Sequence, residues 1–206
     1  MTLQQVWEKV KYKDFQINDE ILAQVDFVGG ESGTSLRNLK AGEDWSYYNW
    51  LGAYCKQFQP KQVVELGGAW GTAAMIMASE TSGKVYSITL DERHMISGKE
   101  FQTAFCYVLK RYPNLIKVIG DDLDLNSWPK DLDLSNTDFW YIDSLHTTEQ
   151  LTKELELYKP FFKKGAILAF DDIHMKELYP VWVDLPYEKL DVSQLHVPTG
   201  WGLAIV

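Results

Sequence analysis

The stretch that decides the predicted fold is V-V-E-L-G-G-A-W-G, residues 63–71. Its β-branched start is typical of a short strand, and residues 72–80 continue with a helical pattern. Gly67 and Gly68 allow a tight turn and a close approach of the backbone to a ligand, while Gly71 lets the following helix pack closely. The stretch therefore predicts a strand, a ligand-binding turn and a helix, at the edge where open α/β sheets bind their ligands.

Strand and helix patterns alternate along the chain after this stretch, as is typical of βαβ units and a parallel sheet. The predicted strands are 62–66, 84–90, 115–120, 139–143 and 166–170, and the predicted helices are 72–80, 93–110 and 147–162. Two further strands, 190–195 and 201–206, are joined by a connection too short for a helical crossover, so the last strand is predicted to run antiparallel to its predecessor. We therefore expect an α/β fold with helices on both faces of a mostly parallel, seven-stranded sheet whose last strand is reversed.

The first part of the chain differs in pattern from the rest. Residues 1–28 carry helical spacing in patches, and the next fourteen residues contain four glycines, which is typical of a loop. A helix is predicted over 44–58, with Asp44 as its N-cap. The sequence thus predicts an N-terminal preamble, residues 1–43, that serves as a lid or a dimer contact, and a ligand-binding domain over residues 44–206.

Composition and charge limit the kinds of molecule that this chain is expected to bind. Its 206 residues suit an ordinary α/β domain, and no apolar run approaches the roughly 18 residues that a membrane helix needs. A formal net charge of −9 opposes binding to phosphate backbones, so we expect a small-molecule partner and no nucleic acid. The start lacks the features of a secretory signal and the chain has only two cysteines, which favours the cytoplasm.

The turn after the first strand resembles the first motif of the class I S-adenosylmethionine-dependent methyltransferases. That motif has the form E/D-x-G-x-G-x-G, and this chain has E-L-G-G-A-W-G, with Ala69 in place of the middle glycine. The resemblance extends over about residues 44–206 and implies a Rossmann-like methyltransferase fold. It also implies that S-adenosylmethionine is bound by Glu65 and by the three glycines of the turn. A buried carboxylate at a strand tip needs a partner, which a cationic ligand or a backbone amine would supply.

The resemblance implies further contacts of the cofactor on the next two loops. The family usually ends its second strand with an acid that holds the ribose, but here Thr89 takes that place and Asp91 follows two residues on. Asp91 is the predicted ribose contact, with a helix cap as the alternative. Asp121 and Asp122, after the third strand, match the family's adenine-binding position, with an acidic surface loop as the alternative.

Three aspartates follow two apolar runs that are expected to be neighbouring strands. Asp143 ends the fourth strand, and Asp171 and Asp172 follow the fifth. Adjacent strands lie about 4.8 Å apart, so these carboxylates are predicted to crowd together. Like charges that close need compensation, and Mg²⁺ or another divalent cation with oxygen ligands would supply it.

This arrangement resembles the metal-dependent O-methyltransferases, including the catechol and macrolide-sugar enzymes. By that resemblance Asp143, Asp171 and Asp172 are metal ligands, and Asp143 also counts among the contacts of S-adenosylmethionine. The segment I-D-S-L-H-T-T-E is similar to the I-D-G-D-H-x-x-E segment of the macrolide branch, and His146 falls on the family's general-base position. A structural histidine is the alternative. His174 is assigned no certain role, and His196 is expected at the surface or in packing.

The predicted function follows from these residues and their resemblance. We expect an S-adenosylmethionine-dependent methyltransferase that methylates a hydroxyl of a small, natural-product-like molecule with the help of a metal. Two alternatives keep the fold: a metal-independent methyltransferase, and a non-catalytic protein that binds S-adenosylmethionine. A nicotinamide-dependent oxidoreductase is disfavoured, because the G-x-G-x-x-G spacing is missing. A homodimer is a further expectation for the assembly.

Overall fold

The computed structural model of the chain describes residues 1–28, 46–68, 71–90, 110–196 and 199–206. Within these ranges the strands form one sheet: β1 Gln62–Leu66, β2 Lys84–Thr89, β3 Leu115–Ile119, β4 Phe139–Ile142, β5 Ile167–Asp171, β6 Glu188–Asp191 and β7 Trp201–Ile205. The α-helices in the same ranges are α1 Leu3–Lys9, α2 Asp19–Val28, α3 Tyr47–Phe58, α4 Thr72–Glu80, α5 Thr148–Tyr158 and α6 Tyr179–Asp184.

The sheet has the predicted topology. Its strands follow the order β3-β2-β1-β4-β5-β7-β6. The pairs among β1 to β5 are parallel, whereas β7 runs antiparallel to both β5 and β6. The mostly parallel seven-stranded sheet with a reversed last strand is therefore confirmed. All five residues of β1 are buried, as expected of a strand with a neighbour on each side and helices on both faces.

The tail of the sheet differs from the prediction in one boundary. β6 ends at Asp191, and Ser193–Leu195 form a short 3₁₀ helix. The side chain of Asp191 accepts a hydrogen bond of 3.0 Å from the backbone N–H of Ser193 and so builds a turn where the strand would have continued. The predicted strand 190–195 is wrong beyond Asp191 for this reason.

The predicted helices are confirmed where the structure describes them. α5 begins after Thr147, whose hydroxyl accepts a hydrogen bond of 3.2 Å from the N–H of Gln150. Its regular part ends at Tyr158, and the rest of the predicted helix is the 3₁₀ segment Lys159–Phe161, which contains a proline. Asp44 and the predicted helix over 93–110, except for Lys110, lie outside the described residues. The helix α6 was not predicted from the sequence.

Helices cover both faces of the sheet and create two core layers. Val63 and Val64, neighbours on β1, belong to opposite layers because successive strand residues point to opposite faces. The layer under α3 and α4 also takes in apolar residues of the preamble, including Leu3 and Ile21. The described part of the preamble is thus packed into the domain core, and its role as a lid or dimer contact stays a prediction. None of the described helices has the length and apolar character that a membrane crossing requires.

Candidate active site

The glycine turn after β1 lies against the ends of two neighbouring strands. The N–H groups of Gly67 and Gly68 donate to the carbonyl of Ile88 on β2, at 3.1 and 2.8 Å. Gly67 has φ +84°, and a Cβ atom there would overlap the backbone carbonyl of Asp143, which follows β4. Gly71 has φ +74° and caps the start of α4. The tight turn thus brings the backbone of Gly67 against Asp143, and the predicted approach of these glycines to a ligand stays a prediction. Ala69 and Trp70 are outside the described residues.

A buried carboxylate on β1 lies next to this turn. Glu65 is 2% exposed and accepts a hydrogen bond from the hydroxyl of Ser87, its partner in the β1–β2 register. Burial raises the pKa of the Glu65 carboxyl to about 7, although the Ser87 hydrogen bond opposes the rise. A cationic ligand beside Glu65 would stabilise the ionised form of this carboxylate.

Most of the predicted site residues line one cavity of about 300 Å³. Those that line it are Glu65, Gly67, Gly68, Gly71, Asp143, His146, Asp171 and Asp172. Tyr47 and Tyr48, from the start of α3, and His196 complete much of the wall. A larger cavity of about 410 Å³ lies between α5 and α6, but it contains none of the predicted residues and its walls are mainly apolar.

The carboxylates at the ends of β4 and β5 meet as predicted. β4 and β5 are hydrogen-bonded neighbours, and the hydroxyl of Tyr141 lies 3.3 Å from Asp143 Oδ2 and 3.4 Å from Asp171 Oδ2. One hydroxyl proton is thus shared between two carboxylates and cannot satisfy both fully. Burial, reinforced by neighbouring carboxylates, raises the pKa values of both Asp143 and Asp171 above their usual range.

Asp172 completes this carboxylate group with an unusual backbone conformation. Its φ of +57° lies in the left-handed region, and its N–H donates to Asp171 Oδ1 at 3.0 Å. Burial opposes its ionisation, but the contacts with His196 and His146 outweigh burial and lower the pKa of Asp172. Strained backbone of this kind is often found where a side chain must be aimed into a site.

The imidazole of His146 bridges the two strand ends. Its Nε2 lies 3.3 Å from Asp143 Oδ1, and its Nδ1 lies 3.1 Å from Asp172 Oδ2. The hydrogen bond with Asp143 raises the pKa of His146 above its usual value, burial opposes this, and the charge of Asp172 adds to the rise. The side chain is 37% exposed, so a proton can be exchanged with solvent.

His196 was expected at the surface or in packing, and the structure places it in the carboxylate group instead. Its Nε2 lies 3.4 Å from Asp172 Oδ1 and 3.6 Å from Asp171 Oδ1. No local spacing indicates this contact, because His196 comes from the connection between β6 and β7. A signal was nevertheless present: a reversed strand beside β5 must begin near the carboxyl end of β5, and Trp201 indeed pairs with Asp171.

Asp121 and Asp122 are not among the residues that line the cavity. Asp121 is exposed and accepts a hydrogen bond from the N–H of Leu123, while Asp122 Oδ1 accepts one from Gln150 Nε2 at 2.8 Å. Their contact with adenine stays a prediction. Asp91 lies outside the described residues. His174 belongs to a separate exposed contact, with its Nε2 2.7 Å from Asp191 Oδ2.

A buried acid beneath the Asp122 loop gives a prediction of pH-dependent stability. Glu154 on α5 is 0% exposed, and burial next to the charge of Asp122 raises its pKa to about 8, although Gln150 and Ser144 oppose this with hydrogen bonds. The folded chain therefore holds this proton more tightly than the unfolded chain. Stability from this group is complete below the unfolded pKa near 4.5 and is lost as the pH rises through about 8.

Glu154→Gln is accordingly expected to raise the free energy of unfolding at pH 8 to 9 by about 1–3 kcal/mol, with little gain at pH 5. Urea unfolding at both pH values measures the difference. The control is Glu156→Gln, since Glu156 is exposed on the same helix. An equal effect of Glu154→Gln at pH 5 and pH 9 contradicts the assignment.

Comparisons with known proteins agree with this geometry. Residues 64–173 match the model of a family described as a methyltransferase domain. The cofactor-bound protein Rv0187 from MTB superposes with a TM-score of 0.66 at 14% identity, covering 92% of this chain and 90% of that one. An O-methyltransferase from Bacillus cereus in complex with SAH superposes with a TM-score of 0.59 at 12% identity, covering 92% and 91%.

A third solved structure spans nearly the whole of both chains. The O-methyltransferase TomG from Streptomyces achromogenes, involved in tomaymycin synthesis and solved with SAM, has a TM-score of 0.61 at 15% identity and covers 100% of this chain and 99% of its own. No curated protein sequence gives a significant match. At these identities the structural likeness establishes the fold, and the family match covers more than half of the chain.

Proposed function

Because the chain belongs to the methyltransferase domain family and is an S-adenosylmethionine-dependent methyltransferase, we propose that it methylates a hydroxyl group of a small molecule with the help of a divalent cation. The observation that carries this proposal is the position of His146. Its imidazole lies between Asp143 and Asp172, at the mouth of the cavity that also contains Glu65. A basic group and a cofactor cavity are thus adjacent, as methylation of a hydroxyl requires.

The cofactor end of the cavity suits a positively charged ligand. Glu65 provides a buried carboxylate, and Gly67 and Gly68 line the same cavity. S-adenosylmethionine carries an ammonium and a sulfonium group, both of which a carboxylate attracts. The contacts proposed for Asp91, Asp121 and Asp122 with the ribose and adenine remain part of this proposal.

The donors beside His146 fit a divalent cation. Within the described part of the chain, the ion-pair partners of Asp143, Asp171 and Asp172 are histidines only, with no lysine or arginine among them. Donor atoms of Asp171, Asp172 and His196 lie within 4.8 Å of one another. Asp143 is linked to Asp171 by the Tyr141 hydroxyl, which contacts both carboxylates. A cation held by these carboxylates would supply positive charge that lowers the pKa of an acceptor hydroxyl.

His146 then moves the proton. One ring nitrogen would exchange its carboxylate contact for the acceptor hydroxyl and accept its proton, while the carboxylate at the other nitrogen fixes the ring orientation. The oxygen attacks the methyl carbon as the C–S bond breaks, so the products are the methyl ether and S-adenosylhomocysteine. The partly exposed imidazole releases its proton to solvent.

Removal of divalent cations is the direct test. Methyl transfer from labelled S-adenosylmethionine to a panel of catechols, phenols and hydroxylated sugars is expected to fall on the order of tenfold or more in excess EDTA, and to recover when a divalent cation is restored. Undiminished turnover in EDTA contradicts the metal and leaves the methyltransferase. Calorimetry with S-adenosylhomocysteine tests the cofactor separately, since an absence of binding contradicts the whole proposal.

A further inference from the structure

We infer that His196 is itself a ligand of the cation, and that the site therefore prefers a late first-row dication, such as Fe²⁺, Co²⁺, Ni²⁺ or Zn²⁺, over Mg²⁺. This inference rests on the proposed function, because it concerns the cation of the same site. It narrows the metal expected from the three aspartates alone, which was Mg²⁺ or another divalent cation. The observation that supports this inference is that the His196 imidazole, which comes from a third segment of the chain, lies beside two carboxylates.

The distances around His196 are long for hydrogen bonds and compatible with ligands of one metal ion. Nε2 of His196 is 3.4 Å from Asp172 Oδ1 and 3.6 Å from Asp171 Oδ1, and good N–H···O bonds are about 2.7–3.2 Å long. Separations of 3.4 and 3.6 Å are less than twice the usual metal–ligand distance of about 2.0–2.2 Å, so an ion bound to His196 Nε2 can also reach either carboxylate oxygen. The group therefore leaves room at its centre for an ion.

The imidazole is held in place by its surroundings. His196 is 8% exposed, and its ring centroid lies 5.1 Å from that of Tyr47, which in turn stacks on Trp201 at 5.9 Å. Its backbone is also fixed, because its N–H donates to the carbonyl of Ser193 and its carbonyl accepts from the N–H of Gly200. A ligand that is ordered before the ion arrives loses little conformational entropy on binding.

The two histidines of the cavity contact different carboxylate oxygens of Asp172. His146 contacts Asp172 Oδ2, whereas His196 contacts Oδ1, and only His196 belongs to the compact donor group with Asp171 and Asp172. This division leaves the His146 imidazole available as a base while His196 serves the cation. The two assignments are thus compatible within one site.

The donor set determines which ion is preferred. Mg²⁺ selects oxygen ligands and retains several waters, whereas imidazole nitrogen favours Zn²⁺, Fe²⁺, Co²⁺ and Ni²⁺. A set of carboxylates alone would suit Mg²⁺. The addition of one nitrogen donor to the buried carboxylates shifts the preference toward the later dications, whose affinities follow the Irving–Williams order.

Metal titrations of the full chain, stripped of metal, test the inference without any turnover. Co²⁺, followed by its visible absorption, is expected to bind at least about tenfold more tightly than Mg²⁺, measured by competition. His196→Asn is expected to weaken Co²⁺ binding by about 10–100-fold and to change Mg²⁺ binding much less. The matched control is His174→Asn, which removes an exposed imidazole whose Nε2 contacts Asp191 outside the donor group.

A spectroscopic measurement on the unaltered chain removes any dependence on how the variant folds. Pulsed EPR of the Mn²⁺ complex is expected to show the coupling of a directly bound imidazole nitrogen. Metal binding without nitrogen coupling, or equal affinities for Co²⁺ and Mg²⁺, overturns this inference and leaves the proposed function intact. No binding of Co²⁺, Mn²⁺ or Mg²⁺ overturns the metal in both proposals.

Discussion

His146→Gln is expected to lower kcat by about 10²–10⁴-fold, the usual contribution of a general base. The glutamine amide can still hydrogen-bond to Asp143 and Asp172, but it cannot accept a proton from the acceptor hydroxyl. The change does not alter the cofactor contacts proposed for Glu65 and the glycine turn. Steady-state kinetics should therefore show a loss in kcat, while calorimetry shows an affinity for S-adenosylhomocysteine close to that of the unaltered chain.

The control for this experiment is a second histidine of similar exposure. His174 also contacts a carboxylate, with Nε2 2.7 Å from Asp191 Oδ2, and both side chains are 37% exposed. His174→Gln should retain kcat within a factor of about two, because the His174 imidazole makes only exposed contacts, with Asp191 and Ser193, within the described part of the chain. If His146→Gln keeps near-normal turnover, or if both variants lose activity equally, His146 is not the base.

The sheet and its ligand edge could be predicted because local patterns determine them. Short β-branched runs separated by helical patterns identify the strands β1 to β5 and predict that they run parallel to one another. The same runs place Asp143 and Asp171 at one edge, since the ends of adjacent parallel strands must meet there. The crowded carboxylates were thus accessible from sequence alone, and their predicted proximity is confirmed.

The contribution of His196 could not be read in the same way. Its position depends on where the β6–β7 connection turns back, and that turn is set by the side chain of Asp191 and by the pairing of Trp201 with Asp171. Such tertiary contacts leave no periodic signal. The orientation of Asp122 toward Gln150 has a similar origin, because it depends on how α5 packs under the loop. Residues that reach a site from distant segments are therefore the ones that local sequence patterns do not reveal.

Gly67→Ala is expected to lower the free energy of unfolding by about 3–5 kcal/mol, the combined effect of strain at positive φ and of overpacking. The new methyl group would overlap the carbonyl oxygen of Asp143, so the turn after β1 and the end of β4 would have to separate. That movement also displaces the Asp143 side chain from His146 and Tyr141. Urea unfolding, together with calorimetry of S-adenosylhomocysteine binding, measures both consequences.

Gly165→Ala separates the two causes of this loss. Gly165 has φ +85°, nearly the value of Gly67, but a Cβ atom there meets nothing within 4 Å. It therefore carries the strain of the left-handed backbone without the overlap, and its cost should be about 1–2 kcal/mol with normal cofactor affinity. Equal losses in the two variants would mean that backbone strain alone explains Gly67. A clearly larger loss at Gly67, accompanied by weaker cofactor binding, would show that this glycine is required because the turn after β1 and the end of β4 touch there.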